Sequence, residues 1–215
     1  MSLSIQHSNY HAKSRPEILP FLPSKFERVL EVGCGEGAFS MRFAQEAEVW
    51  GVEPSQSSSE RARERLARVF AYTYDEAEPE LPNEYFDLVI CNDVIEHVPS
   101  HDDLLKSLHG KLKPDGYLVA SVPNVRYLPH LKELLIDKDW RYRDEGILDR
   151  THLCFFTRKS LCRSLAEHGF SVEYMKGINP VGGRWSALVS IISTLTLGAT
   201  SDTRFLQFAL RARRV

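Results

Sequence analysis

The chain has 215 residues, of which 43% are hydrophobic and 26% charged, with a formal net charge of −2. That is enough for one sizeable core and ordinary for a soluble globular protein. The near-neutral balance removes the electrostatic case for nucleic acid as a main partner.

Residues 1–12 are polar and lack the apolar core of a secretory signal. Pro16, Pro20 and Pro23 then allow only short helical turns up to Phe26. Arg28 to Phe39 reads R-V-L-E-V-G-C-G-E-G-A-F. The apolar run Val29, Leu30, Val32 predicts a buried strand. Gly33, Gly35 and Gly37 predict a tight turn, and residues 38–45 a helix with Phe39, Phe43 and Ala44 inward. Glycine supplies backbone angles that a Cβ forbids and lets a ligand approach main chain closely. A helix start there would add free N–H groups and partial positive charge. A second strand over 48–52 ends at Glu53, twenty positions after Gly33, and Pro54 closes it. A carboxylate at that point can accept both hydroxyls of a ribose. Turn, spacing and strand context together point to a nucleoside site.

Residues 55–68 read as a surface helix capped by Ser57, Ser58 or Ser59, and 69–73 as a short strand before Tyr74 and Asp75. Residues 84–98 read E-Y-F-D-L-V-I-C-N-D-V-I-E-H-V. Phe86, Leu88, Val89 and Ile90 predict a fully buried strand ending at Cys91, Asn92 and Asp93. Ligands gather beyond the carboxyl ends of strands in open α/β sheets, which sets Asn92 and Asp93 beside the glycine turn. A helix over 102–109, a turn at 112–116 and a strand over 117–122 follow. A helix over 127–136 leads into an aromatic and ionisable stretch through Trp140, Tyr142 and residues 146–157. Thr157 caps a helix over 158–168 that Gly169 stops. Residues 170–178 and 204–212 read as strands. The apolar helix between them, 185–197, reads as core, a lid or a homodimer surface. Its stretch 187–200 is too short and too hydroxylated to span a bilayer, so a cytoplasmic protein is expected. Cys34, Cys91, Cys154 and Cys162 have no paired spacing and read as reduced thiols.

Leu30–Gly37 (L-E-V-G-C-G-E-G), Asp93–His97 (D-V-I-E-H), the L-K-P-x-G turn at Leu112–Gly116 and Gly146–Thr157 (G-I-L-D-R-T-H-L-C-F-F-T) resemble the class I S-adenosylmethionine-dependent methyltransferases. The last stretch is similar to a subgroup linked with polysaccharide and other small-molecule biosynthesis. The resemblance covers about residues 28–212. It implies a single doubly wound α/β domain, 27–215, with a seven-stranded Rossmann-like sheet. Its last strand inserts antiparallel between strands five and six. It also implies an N-terminal cover segment, 1–26, in which Tyr10 and His11 are candidates, and an acceptor or lid insertion, 124–157. The implied cofactor is S-adenosylmethionine, with S-adenosylhomocysteine as product. Its implied contacts are Glu31, Gly33, Cys34, Gly35, Gly37, Glu53, Pro54, Asn92, Asp93, Val94 and His97. The family's Gly-Asp corner reads Thr73-Tyr74-Asp75 here, so the adenine contact falls on Tyr74 or Asp75. Cys154 stands where the subgroup has Arg, so any acceptor contact from that arginine is unavailable.

The expected reaction is methyl transfer to an oxygen of a small molecule, such as a sugar or quinone-like hydroxyl. His152 is the first candidate for general base, oriented by Asp149 or Glu145. His97 is the second, or else it fixes the loop after the strand. Arg150 suits an acidic acceptor group, and Tyr127 and Trp140 complete the acceptor candidates. No metal is expected, because no cluster of His and carboxylate shows ligand spacing along the chain. Two rivals stand beside this. A nicotinamide-dependent oxidoreductase would use Gly33, Gly35 and Ala38 as the weaker dinucleotide spacing. A non-enzyme would bind the cofactor without a working acceptor site.

Overall fold

The computed structural model describes residues 14–215, so Tyr10 and His11 lie outside the described residues. Seven strands form one sheet: β1 (Arg28–Val32), β2 (Glu48–Val52), β3 (Arg68–Phe70), β4 (Phe86–Asn92), β5 (Leu112–Pro123), β6 (Phe170–Pro180) and β7 (Phe205–Arg214). The order is β3-β2-β1-β4-β5-β7-β6. β7 runs antiparallel to both its neighbours, β5 and β6, and the remaining pairs are parallel. This is the Rossmann-like methyltransferase sheet that the resemblance implies.

The central strands are apolar on both faces. Val29, Leu88 and Ile90 belong to one buried cluster, and Leu30, Val32, Phe86 and Val89 to the other. The alternation follows from the two-residue period of a strand. Helices cover both faces: α1 (Gln56–Arg63), α2 (Tyr74–Ala77), α3 (His101–Lys111), α4 (Leu128–Lys132), α5 (Arg158–Glu167) and α6 (Arg184–Leu195). Residues 14–26 are part of the same body. Their 3-10 turn, Pro16–Phe21, buries Ile18 and Phe21 in the cluster that holds Val29.

Four helices differ from expectation. The helix expected over 55–68 is α1, Gln56–Arg63, preceded by Ser55 rather than capped by Ser57, Ser58 or Ser59, and Arg68 already belongs to β3. Residues 38–45 form only a 3-10 turn, Ser40–Arg42. Phe39 and Phe43 both enter the core, and the Phe43 ring meets Phe26 and Phe39 edge-on at 5.2 and 5.9 Å. Turns satisfy that packing in the few residues left before β2. Along 127–136, α4 passes into a π turn, Glu133–Asp137, and Leu134, Leu135 and Ile136 are exposed. In α6, Val189 is buried while Leu188, Ile191 and Leu195 are exposed, so most of its apolar side is not core. No helix among the described residues is long and apolar enough to cross a membrane.

Candidate active site

The site forms where the carboxyl ends of β1, β2 and β4 meet. Gly33, Gly35 and Gly37 have φ of 71°, 54° and 71°, the left-handed region that a side chain disfavours. The Gly33 and Cys34 N–H groups donate to the Val52 carbonyl at 2.8 and 3.1 Å, which ties the turn to the end of β2. A Cβ at Gly33 would lie 2.6 Å from Val94, so the turn also packs directly on the loop after β4. The Cys34 side chain is turned into the core, where a Cβ on Gly51 would meet its sulfur at 2.6 Å. Burial, with Glu31 and Glu53 nearby, pushes this thiol well above its ordinary range. Cys34 therefore offers main chain to the cleft and not a side chain.

Glu53 is buried, and two main-chain donors orient it. Its Oε2 accepts from Gly35 N–H and its Oε1 from Ser55 N–H, both at 2.9 Å. Pro54 is exposed beyond it. One carboxylate oxygen of Glu31 and both side-chain polar atoms of Asn92 are buried without a partner among the described residues. Such atoms are rare in folded proteins, and here they end β1 and β4 on the ligand edge of the sheet. Asp93, at φ 54°, is engaged by three elements. Its Oδ1 accepts from Ser121 Oγ at 2.8 Å and Gln207 Nε2 at 2.7 Å, and its Oδ2 from the Arg15 guanidinium at 2.5 Å. Arg15, Ser121 and Gln207 were not among the sequence candidates. They are single polar residues, far apart in the chain, and no periodicity marks them.

Tyr74 and Asp75 sit elsewhere than expected. Glu76 accepts from the Thr73 N–H at 2.9 Å, which starts α2 at Tyr74 and puts Tyr74 and Ala77 on its buried side. The Tyr74 hydroxyl bonds Ser107 of α3 at 2.8 Å. The ring belongs to the buried core cluster. Asp75 lines a cavity of about 410 Å³ with Glu78, Asn83, Asp103 and Lys106, and no residue of the glycine turn takes part in it.

The loop after β4 and the stretch 146–157 are stitched together. Leu153 and Cys154 N–H groups donate to the Glu96 carbonyl at 2.7 and 3.1 Å. The rings of His97 and His152 meet edge-on at 4.7 Å. His97 Nδ1 lies 3.2 Å from the Thr151 carbonyl, and His152 Nδ1 lies 2.8 Å from the Ile147 carbonyl. His152 is therefore oriented by main chain, not by Asp149 or Glu145. Asp149 instead accepts from Thr151 N–H and Oγ1 at 2.8 and 2.6 Å. Burial, then the neighbouring His152, lowers the pKa of His97. Burial, then Asp93, holds the Glu96 carboxyl well above the usual carboxylate range. One ligand atom from each of Glu96, His97 and His152 lies within 4.8 Å of the others. The expectation that no such cluster exists is corrected: the fold assembles one from residues more than fifty positions apart.

The acceptor candidates are spread out. Tyr127 is half-buried and lines a cavity of about 150 Å³ with His130, Glu133, Arg143 and Leu206. Trp140 lies edge-on to His130 and Phe155 at 5.3 and 5.5 Å. The Arg150 side chain is 66% exposed and pairs with Asp144 at 3.2 Å, outside the cluster of histidines.

Residues 6–174 match the model of a family described as a methyltransferase domain. The chain belongs to that methyltransferase family. It is 28% identical over 158 residues to a trans-aconitate 2-methyltransferase of Streptomyces coelicolor, covering 67% of this chain and 52% of the relative. It is 28% identical over 168 residues to a ubiquinone biosynthesis O-methyltransferase of Nitrobacter winogradskyi, covering 74% and 63%. The methyltransferase chain thus spans between half and two thirds of the length of these curated relatives. Among solved structures, a SAM-dependent methyltransferase from Archaeoglobus fulgidus superposes with a TM-score of 0.66 at 20% identity, covering 99% of this chain and 100% of that one. A Burkholderia thailandensis N1-methyltransferase solved with S-adenosylhomocysteine gives 0.63 at 17%, covering 99% and 82%. At those identities the likeness supports the fold.

Proposed function

We propose that this methyltransferase moves the methyl group of S-adenosylmethionine to an oxygen of a small-molecule acceptor. One observation carries the reading. Glu53, held by Gly35 and Ser55 N–H groups, follows the carboxyl end of β2, and Glu31 of β1 and Asn92 of β4 carry buried polar atoms without a partner among the described residues. A carboxylate held by main-chain donors at the tip of the second strand is the group that accepts ribose hydroxyls in sheets of this kind. Glu31 sets a buried carboxyl near the glycine turn, and a bound sulfonium cation would favour its charged form. The cofactor has no phosphate, and the turn suits that. A three-residue 3-10 turn has none of the aligned N–H groups that seat a pyrophosphate, which counts against the nicotinamide reading.

The sulfonium methyl is already electrophilic. The protein has to hold a nucleophile in line behind it and see the proton of that nucleophile removed. The acceptor side is the face formed by the loop after β4 and residues 146–157. Both imidazoles there use Nδ1 on a carbonyl, which leaves a lone pair on each Nε2. His152 or His97 takes the acceptor proton, and the ubiquinone and trans-aconitate relatives support an oxygen acceptor. Calorimetric titration with S-adenosylhomocysteine and with NAD tests the reading. S-adenosylhomocysteine should bind, and Glu53→Ala should weaken it by about tenfold or more, the worth of one or two hydrogen bonds to a charged group. Binding of NAD in its place, or undiminished affinity in Glu53→Ala, overturns it.

A further inference from the structure

We propose that Glu96, His97 and His152 bind a divalent transition-metal ion that takes the acceptor oxygen as a further ligand. The inference rests on the methyl-transfer reading above only for what the ion does, not for whether it binds. Three observations carry it. Their ligand atoms lie within 4.8 Å of one another, and ligands around a zinc-like ion lie about 3 to 3.5 Å apart, so small side-chain rotations close the site. The Glu96 side chain is buried, at 1% exposure, and neither oxygen has a partner among the described residues. Leaving such a group unpaired in the interior is costly. Both imidazoles are fixed from behind. A carbonyl only accepts, so Ile147 holds the proton on His152 Nδ1. His97 Nδ1 meets the Thr151 carbonyl and, at 3.0 Å, the Thr151 hydroxyl, whose own proton goes to Asp149, so both rings direct Nε2 as the nitrogen with a lone pair. Ring tautomers set by outer hydrogen bonds are the usual support of histidine ligands.

The donor set names the class of ion. Two imidazoles and one carboxylate suit zinc, cobalt, manganese or iron(II), whereas magnesium and calcium favour all-oxygen sites. Three protein ligands leave coordination open, as catalytic sites do and structural zinc sites do not. Asp93 and Asp149 add negative charge beside the cluster, and Arg15 is already committed to Asp93. With the ion bound, His152 no longer acts as base. An acceptor hydroxyl on the ion loses its proton to water, because the cation lowers the hydroxyl pKa. Its oxygen lone pair then forms the O–CH3 bond as the S–CH3 bond breaks, and the sulfonium becomes a neutral thioether. The acceptor class is accordingly a hydroxyl compound whose oxygen can coordinate.

The test is optical titration of chelator-treated protein with Co²⁺, in parallel with calorimetry using S-adenosylhomocysteine. The expected result is a saturable d–d absorption band at one Co²⁺ per chain. His97→Ala and Glu96→Gln should each weaken Co²⁺ binding by about tenfold or more. His152→Gln repeats the test should the smaller side chains disturb folding, which circular dichroism reports. Absence of a saturable band, a band that survives all three substitutions, or a sulfur-to-cobalt charge-transfer band that places the ion on a cysteine overturns the site. Cobalt failing while S-adenosylhomocysteine binds sinks the metal alone. The reverse result sinks the cofactor reading and leaves the metal standing.

Discussion

Glu31, next to last in β1, lies two residues before the glycine turn at 4% exposure. Burial pushes its carboxyl up to about 8, with Glu53 adding repulsion and the Ser40 hydroxyl and Arg15 only partly offsetting both. In the unfolded chain the same group titrates at about 4.3. Between those values the folded chain binds the extra proton, so this contribution is complete below the unfolded pKa and is lost as pH rises through about 8. Glu31→Gln keeps the shape and removes the titration. The ligand-free wild type should lose stability relative to the variant across that window, by a few kcal/mol, at about 1.4 kcal/mol for each tenfold change in proton affinity. Parallel melting-temperature profiles for the two proteins would show that Glu31 does not titrate this way. At this scale the sequence was informative where a residue's place follows from its strand position, as for Glu53 and Asn92. It was uninformative for Tyr74, whose orientation depends on where α2 starts.

Among elements, α5 has a start that is written locally. The Thr157 hydroxyl accepts from Ser160 N–H at 3.1 Å, and Ser160 Oγ accepts from Thr157 N–H at 2.9 Å. Thr157→Ala should cost about 1 kcal/mol, read as a lower urea midpoint with an unchanged slope. No shift in the midpoint would mean that packing of Leu161 and Leu165, both fully buried, sets the helix by itself. Gly177 makes the opposite point about local signals. A Cβ there would lie 2.1 Å from the Phe205 ring across the β6–β7 pair, so Gly177→Ala should open that edge and destabilise by about 1 to 3 kcal/mol. Nothing in the sequence around residue 177 marks the contact, because Phe205 is distant along the chain. The central strands β1 and β4 were legible because their apolar runs are buried whatever their neighbours. The segment 38–45 was not, since Phe39 and Phe43 satisfy a helical spacing and a pair of turns equally.

For the molecule as a whole, the leading segment locks the far ends of several strands. Arg15 reaches Asp93 after β4 and Ser121 of β5 at 2.5 and 3.0 Å, and Asp93 also takes Gln207 of β7. Behind it, Phe21 packs on Tyr174 of β6 at 5.0 Å, and Arg211 donates to the Leu22 carbonyl at 3.2 Å. This closure joins the glycine-turn half of the sheet to the β5–β7–β6 half, and it is built from partners that only the fold brings together. The Arg15 and Asp93 side chains are 12% and 11% exposed, so the pair is nearly but not fully desolvated. Removing one partner of a fully buried pair costs about 3 to 5 kcal/mol, and the residual exposure lowers the figure here to about 2 to 3. Arg15→Ala should therefore lower stability by that amount, read as a lower urea midpoint, and raise amide exchange over residues 16–22. Adding Asp93→Asn should restore most of the loss, because the stranded charge and not the missing contact is the larger cost. If the single variant exchanges like wild type, the segment is held by Ile18 and Phe21 alone. If the double variant is as unstable as the sum of the two singles, the charges are not coupled and the closure is only steric.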